Sequence, residues 1–419
     1  MSAFDAEHAS PSGGGRPEPG GPGLRRAFLA AIACFAVAAA AGSLLRFGVL
    51  HGFPWGLTYL DVRHAHTHLM YFGWVTPALF ALIGVAIARR GERRLPRAYP
   101  ATIVAALAAG LLAFVPFLLS GYRPLAIGGA RLPLSMIASA LAVLSWYAWG
   151  AAYLSATWRM RRDLATFALD AALLVLLVSS TGAWGLALAA LSPVASGSLM
   201  DALVHFYLDT FSHGWFALAL VGLLLADLPR PPDRPGLRVA LAAWLVGLLA
   251  AAFADLVGAP QAVAFAARLL AAGGLLALAL ALGVAAGRAA RGTHAVLGAL
   301  LGAKALLDAV LTFPEAAAWS QRMLLQVFWV HAFLLGFATI ALAALALRAW
   351  RPRATWTLLP LAGAVFVLLG SLLPLTLVYP AAWRGPWVLP FAAWATVPPT
   401  VALLALGAAL VRPRRRPPR

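Results

Sequence analysis

Long apolar runs separated by short polar connections dominate this chain. A helix needs about 20 residues to cross a bilayer. On that measure the runs predict twelve helices, near residues 27–46, 68–88, 100–120, 134–157, 165–191, 200–226, 237–256, 262–286, 294–313, 322–347, 356–378 and 389–410. No connection between them is long enough for a soluble domain. The fold class is therefore an all-α polytopic membrane protein. Residues 25–411 hold the twelve-helix transmembrane domain, and residues 412–419 form a basic tail. Residues 1–24, rich in Gly and Pro, read as a disordered tail.

Composition agrees, with 62% hydrophobic and only 11% charged residues, which excludes an ordinary soluble domain. The net charge of +18 would suit a nucleic-acid partner, but its distribution excludes one. Arginines gather in alternate connections: Arg25 and Arg26; Arg89, Arg90, Arg93, Arg94 and Arg97; Arg159, Arg161 and Arg162; Arg230, Arg234 and Arg238; Arg288 and Arg291; Arg348, Arg351 and Arg353; and residues 412–416. This is the positive-inside pattern, and it predicts cytoplasmic termini in a bacterial-type inner (plasma) membrane, with lipid as the surrounding partner. The first helix superficially resembles a signal peptide. Cleavage would remove one span and leave the charge pattern intact, so it reads as an anchor. The single cysteine, Cys34, excludes disulfides, Cys-x-x-Cys-His haem attachment and thiolate clusters. Any metal must rest on nitrogen or oxygen.

That requirement turns attention to the histidines. Arg63-His64-Ala65-His66-Thr67-His68 opens the second apolar run, where ionisable groups are costly unless they pair or bind something. Helices 2, 6 and 10 all run from outside to inside. His64, His66 and His68 start helix 2, His205 and His213 lie in helix 6, and His331 lies in the outer half of helix 10. His51 falls in an outer loop, and only His8 and His294 fall on the cytoplasmic side. At about 100° per residue, His64 and His68 share a face while His66 points nearly the opposite way. The three cannot chelate one ion on a regular helix. His205 and His213, eight residues apart, are separated by roughly 12 Å along the axis. A second metal site would have to combine one of them, with Asp209, and His64 or His68. The alternative is that all four histidines are interfacial or interhelical polar groups. Lys304, the only lysine, sits four residues before Asp308, so the two share a face as an ion pair or a proton route. Asp170 and Asp209 have no partner legible in the sequence.

A faint repeat links the same helices. Helix 2 reads His68-Leu-Met-Tyr-Phe-Gly73-Trp-Val-Thr76, and helix 10 reads His331-Ala-Phe-Leu-Leu-Gly336-Phe-Ala-Thr339. Helix 6 has Asp209 five residues before Gly214. Related helices at intervals of four suggest three units of four.

Here the chain resembles subunit I of the haem–copper oxidase superfamily, which includes the nitric oxide reductases. That family has twelve helices in three four-helix arcs. Its helix 2 carries a low-spin haem ligand followed by a pattern like His-x-x-x-Met-x-Phe-x-x-Val-x-Pro, which His66, Met70, Phe72, Val75 and Pro77 match in register. Arg63 and Thr67 are similar to the Arg-x-x-His-Thr of the nitric-oxide-reductase branch. His331 falls where helix 10 supplies the opposite axial ligand. Arg384 lies where the family holds haem propionates with two arginines, of which this chain has one. The close match covers about thirty residues besides the helix plan. Helix 7 has no histidine, whereas the family places a copper-binding pair there. Trp329 stands where a high-spin haem ligand belongs. In helix 6 the family's histidine is followed four residues later by a tyrosine or an acid, and this chain offers His205 and Asp209 there.

The resemblance implies a low-spin haem b held by His66 and His331, with Arg63 and Arg384 beside it. It leaves a second metal, copper or iron, at His64, His68, His205, His213 and Asp209 as an open expectation. It also implies electron transfer or nitric oxide- or oxygen-related chemistry in a divergent oxidoreductase, with electrons from a quinol or a redox partner subunit. Similar membrane proteins associated with the nitric oxide response share this size and histidine-rich helix 2. Two other readings stand beside it: a transition-metal transporter or sensor with an outer-face histidine site, and an assembly subunit whose histidines bind nothing.

Overall fold

A computed structural model describes residues 21–90, 95–192 and 196–411. The tails expected at residues 1–24 and 412–419 lie almost wholly outside the described residues. Among the described residues, twelve helices are long and apolar enough to cross a membrane: α1 (Gly21–His51), α2 (Tyr59–Arg90), α3 (Ala98–Ser120), α4 (Leu134–Thr157), α5 (Leu164–Leu191), α6 (Gly197–Asp227), α7 (Pro235–Leu256), α8 (Gln261–Arg288), α9 (Gly292–Leu311), α10 (Gln326–Trp350), α11 (Ala354–Leu375) and α12 (Val388–Val411). The protein is an all-α polytopic membrane protein. The described sheet is one hairpin, β1 (Leu125–Ile127) with β2 (Ala130–Leu132), between α3 and α4. A short helix, Pro314–Arg322, precedes α10.

Helix α2 starts nine residues earlier than the apolar run, at Tyr59 rather than 68. Its first turns contain Asp61, Arg63, His64, His66 and His68, which hide a helix from hydropathy. They are stabilised locally. The Thr58 hydroxyl accepts from the Asp61 N–H (3.2 Å) and donates to the Asp61 carboxylate (2.8 Å), a reciprocal N-terminal cap. Asp61 also pairs with Arg123 at 2.7 Å, tying α2 to the loop after α3. The histidines therefore stand inside a continuous helix, about one and a half to two and a half turns from its start.

Helices α2, α6 and α10 form the centre and pack on one another through their inner halves. Each contains a π-helical segment, at Met70–Val75, Asp209–Phe216 and Ala332–Thr339. The three glycines of the sequence repeat, Gly73, Gly214 and Gly336, lie inside these segments. Widened turns of this kind gather at functional sites. Here they meet: Ser212 donates to the Tyr71 hydroxyl (3.2 Å), and the Trp74 indole N–H donates to Thr339 (3.3 Å).

The periphery packs as lipid-embedded helices do, through small residues that let backbones approach. A Cβ on Gly247 would lie 2.5 Å from the Ala267 carbonyl, and one on Gly274 would lie 2.4 Å from the Ala240 carbonyl. Helices α7 and α8 are thus in backbone contact. At the arginine-rich face, Arg90 of α2 pairs with Asp163 at the start of α5 (3.0 Å), while Arg162 with Asp170 (2.9 Å) and Arg238 with Asp233 (2.8 Å) pair locally, each between a helix and the connection before it. Asp170, partnerless in the sequence, also accepts from the Tyr153 hydroxyl at 2.7 Å.

Candidate cofactor cavity

A cavity of about 540 Å³ opens between α1, α2, α10, α11 and α12. That is within the usual range for small-molecule and cofactor sites. Phe35, Leu335, Leu368 and Leu372 supply apolar wall, while His66, His331, Arg46 and Arg63 supply the chemistry.

The two histidines are oriented in the same way. His66 Nδ1 lies 2.7 Å from the Ala38 carbonyl of α1, and His331 Nδ1 lies 2.7 Å from the Val327 carbonyl one turn earlier in α10. A carbonyl only accepts, so each Nδ1 carries the proton and each Nε2 keeps its lone pair. Second-sphere bonds of this kind orient metal-ligating imidazoles and raise their basicity. Gly42 makes room for the His66 ring: a Cβ there would lie 2.8 Å from its Cε1 and 3.0 Å from its Nδ1.

At the end of the cavity where α2 begins, Arg46 of α1 and Arg63 of α2 line the wall, with Tyr59 beside them. Neither guanidinium has a hydrogen-bonding partner among the described residues. Arg46 is most of the way buried inside an apolar helix, where an unpaired cation is expensive. It belongs to no motif; its one signal is to be the single arginine inside the first apolar run.

The remaining candidates stand elsewhere. Arg384 does not line the cavity; its guanidinium donates to the Thr376 carbonyl (2.6 Å) and the Tyr379 carbonyl (2.9 Å), bracing the α11–α12 loop. His64 and His68 face away from His66, as the helical angles require. His68 stacks on Phe117 (3.8 Å between centroids) and bonds the Tyr122 hydroxyl through Nε2 (2.8 Å), while His64 meets the Tyr122 ring edge-on. About half of the Tyr122 side chain is exposed, but desolvation around its hydroxyl lifts the phenol to about 12. His213 stacks on Phe333. Lys304 approaches the same ring and pairs with Asp308 at 2.6 Å. Among the described residues, no three His, Cys, Asp or Glu side chains converge as a metal-binding group. His205 and Asp209 remain on α6, away from the cavity wall. Trp329, in the position of the family's high-spin ligand, donates its indole N–H to Ser320 at 3.1 Å.

No protein-family model matches the chain, and comparison with curated proteins finds no match either.

Proposed function

We propose that this chain is a haem-binding integral membrane protein of the haem–copper oxidase subunit I type, reduced to its low-spin haem site. The observation that supports it most is the pairing of two imidazoles, from α2 and α10, on the wall of one cavity, each with Nδ1 committed to a carbonyl. His66 and His331 would be the axial ligands. Arg46 and Arg63 would neutralise the propionates, since a guanidinium fork suits a carboxylate. Arg384, which the family pattern assigns to the propionates, is given up for Arg46. The aromatic and aliphatic wall would offer the macrocycle an apolar bed. A haem with both axial positions filled by imidazole supplies one-electron transfer.

The resemblance gives the electron source as a quinol or a redox subunit, and the chemistry served as nitric oxide- or oxygen-related. The arginine-rich face is the cytoplasmic one by the positive-inside rule. The full chain, purified from cells with adequate haem supply, should carry a haem with a low-spin reduced-minus-oxidised spectrum. His66→Ala and His331→Ala should each lose it, while His68→Ala keeps it. Pure, folded protein without pigment would overturn the proposal, and metal analysis of the same sample would then test the transporter reading.

A further inference from the structure

At the arginine-rich face one carboxylate holds four helices together. Asp227, at the end of α6, accepts from Arg89 of α2 (3.2 Å) and from Arg348 of α10, and lies 3.2 Å from His294 Nε2 of α9. Arg89 also donates to the Arg348 carbonyl (3.2 Å). The Asp227 side chain is only 8% exposed and the His294 side chain only 1%.

Beside this knot lies a cleft of about 190 Å³, lined by Arg291, Thr293, His294, Arg348 and Thr355. The charges do not balance. Arg89, Arg291 and Arg348 stand against the single Asp227, leaving two positive charges over. The other described acids of this face, Asp163, Asp170 and Asp233, are paired with Arg90, Arg162 and Arg238. No described carboxylate is left for Arg291. The cleft also receives the start of α9, whose first N–H groups have no partner within the helix. The residue in the capping position is Arg291, with no side-chain cap, because a guanidinium offers donors only.

We infer that this cleft binds a phosphate oxyanion, held by Arg291 and Arg348, the hydroxyls of Thr293 and Thr355, and the first N–H groups of α9. Its lining offers two guanidinium groups and two hydroxyls and no carboxylate. Basic pockets between transmembrane helices take lipid headgroups through the same chemistry. The phosphate can therefore come from an anionic lipid or from solution. The site does not depend on the haem reading, since none of its residues lines the cofactor cavity.

The test uses the full chain in neutral detergent. Thermal unfolding is followed with inorganic phosphate, with chloride at matched ionic strength, and with short-chain phosphatidylglycerol or phosphatidylcholine. Phosphate or phosphatidylglycerol should raise the midpoint, and chloride and phosphatidylcholine should not. Protection by phosphatidylglycerol alone assigns the site to a lipid headgroup; protection by inorganic phosphate as well assigns it to a soluble anion. Arg291→Gln should weaken the protecting ligand at least tenfold. Thr355→Leu, which fills the cleft without removing a charge, should do the same. No shift beyond matched chloride from either phosphate source, or equal shifts in wild type and both variants, would overturn the inference.

Discussion

Gly42→Ala puts the smallest added group against the most consequential side chain. The new Cβ would sit 2.8 Å from His66 Cε1, 3.0 Å from Nδ1 and 3.6 Å from Nε2. Ordinary carbon contacts are about 3.5–4.0 Å, so the ring must retreat by roughly 0.7 Å. It has little freedom to do so, because Nδ1 is fixed 2.7 Å from the Ala38 carbonyl on the same helix. Overpacking costs about 1–3 kcal/mol, and losing the bond costs about 1 kcal/mol more. The gain from replacing Gly by Ala in a helix, about 1 kcal/mol, offsets only part of this. If His66 holds a haem as proposed, a net cost of about 1–3 kcal/mol there corresponds to a roughly 5- to 150-fold weaker hold on it. Gly363→Ala on α11 is the control, since nothing lies within 4 Å of its Cβ position. Haem-to-protein ratio and thermal midpoint are read on both variants. Gly42→Ala should lose haem and shift toward a high-spin spectrum while Gly363→Ala matches wild type. Wild-type haem content, spectrum and midpoint in Gly42→Ala would refute the reasoning about how His66 is held.

Three further outcomes follow from other contacts. Asp227→Asn leaves Arg89 and Arg348 without their counter-ion and should destabilise the protein by about 3 kcal/mol, read as a lower thermal midpoint in detergent. Gly274→Leu should drive α7 and α8 apart, because even a Cβ meets the Ala240 carbonyl at 2.4 Å; reduced expression and a lowered midpoint with the haem spectrum retained would mark this as a peripheral packing defect. The Tyr122 phenol, raised by desolvation from the usual 10.0 to about 12, binds its proton more tightly in the folded state. Its stabilising effect is complete below pH 10 and is lost as pH rises toward 12. The phenolate absorbance of wild type minus Tyr122→Phe should accordingly titrate well above pH 10.

The number of helices was legible in the sequence because crossing a bilayer imposes one length and one composition on every span. What that signal could not show was helix carrying polar side chains. The start of α2 at Tyr59 was missed because Asp61, Arg63 and three histidines interrupt the apolar run, although Thr58 and Asp61 are a recognisable cap. The site was half legible. The resemblance pairs His66 with His331, helical angle sets His66 apart from His64 and His68, and the two line one cavity. Arg384 stands in the family's position by analogy, yet its guanidinium lies off the cavity wall and donates through Nη2 to two carbonyls of its own loop. Arg46 carries no local signal, because its place on the cavity wall depends on which helices close the cavity. The knot at Asp227 joins residues 121 and 138 positions apart in the chain, which no local pattern reveals. The glycine repeat was visible as letters, but its physical meaning, three widened turns meeting at the centre, required the fold.

The most direct test of the central claim is chemical rescue of the axial ligands. His66→Gly and His331→Gly each open one coordination position, so the purified variants should bind haem in a high-spin form. Added imidazole should restore the low-spin spectrum in both, saturably, and leave wild type unchanged. A low-spin spectrum in either variant before imidazole is added, or failure of imidazole to change a haem-loaded variant, would contradict ligation by His66 and His331.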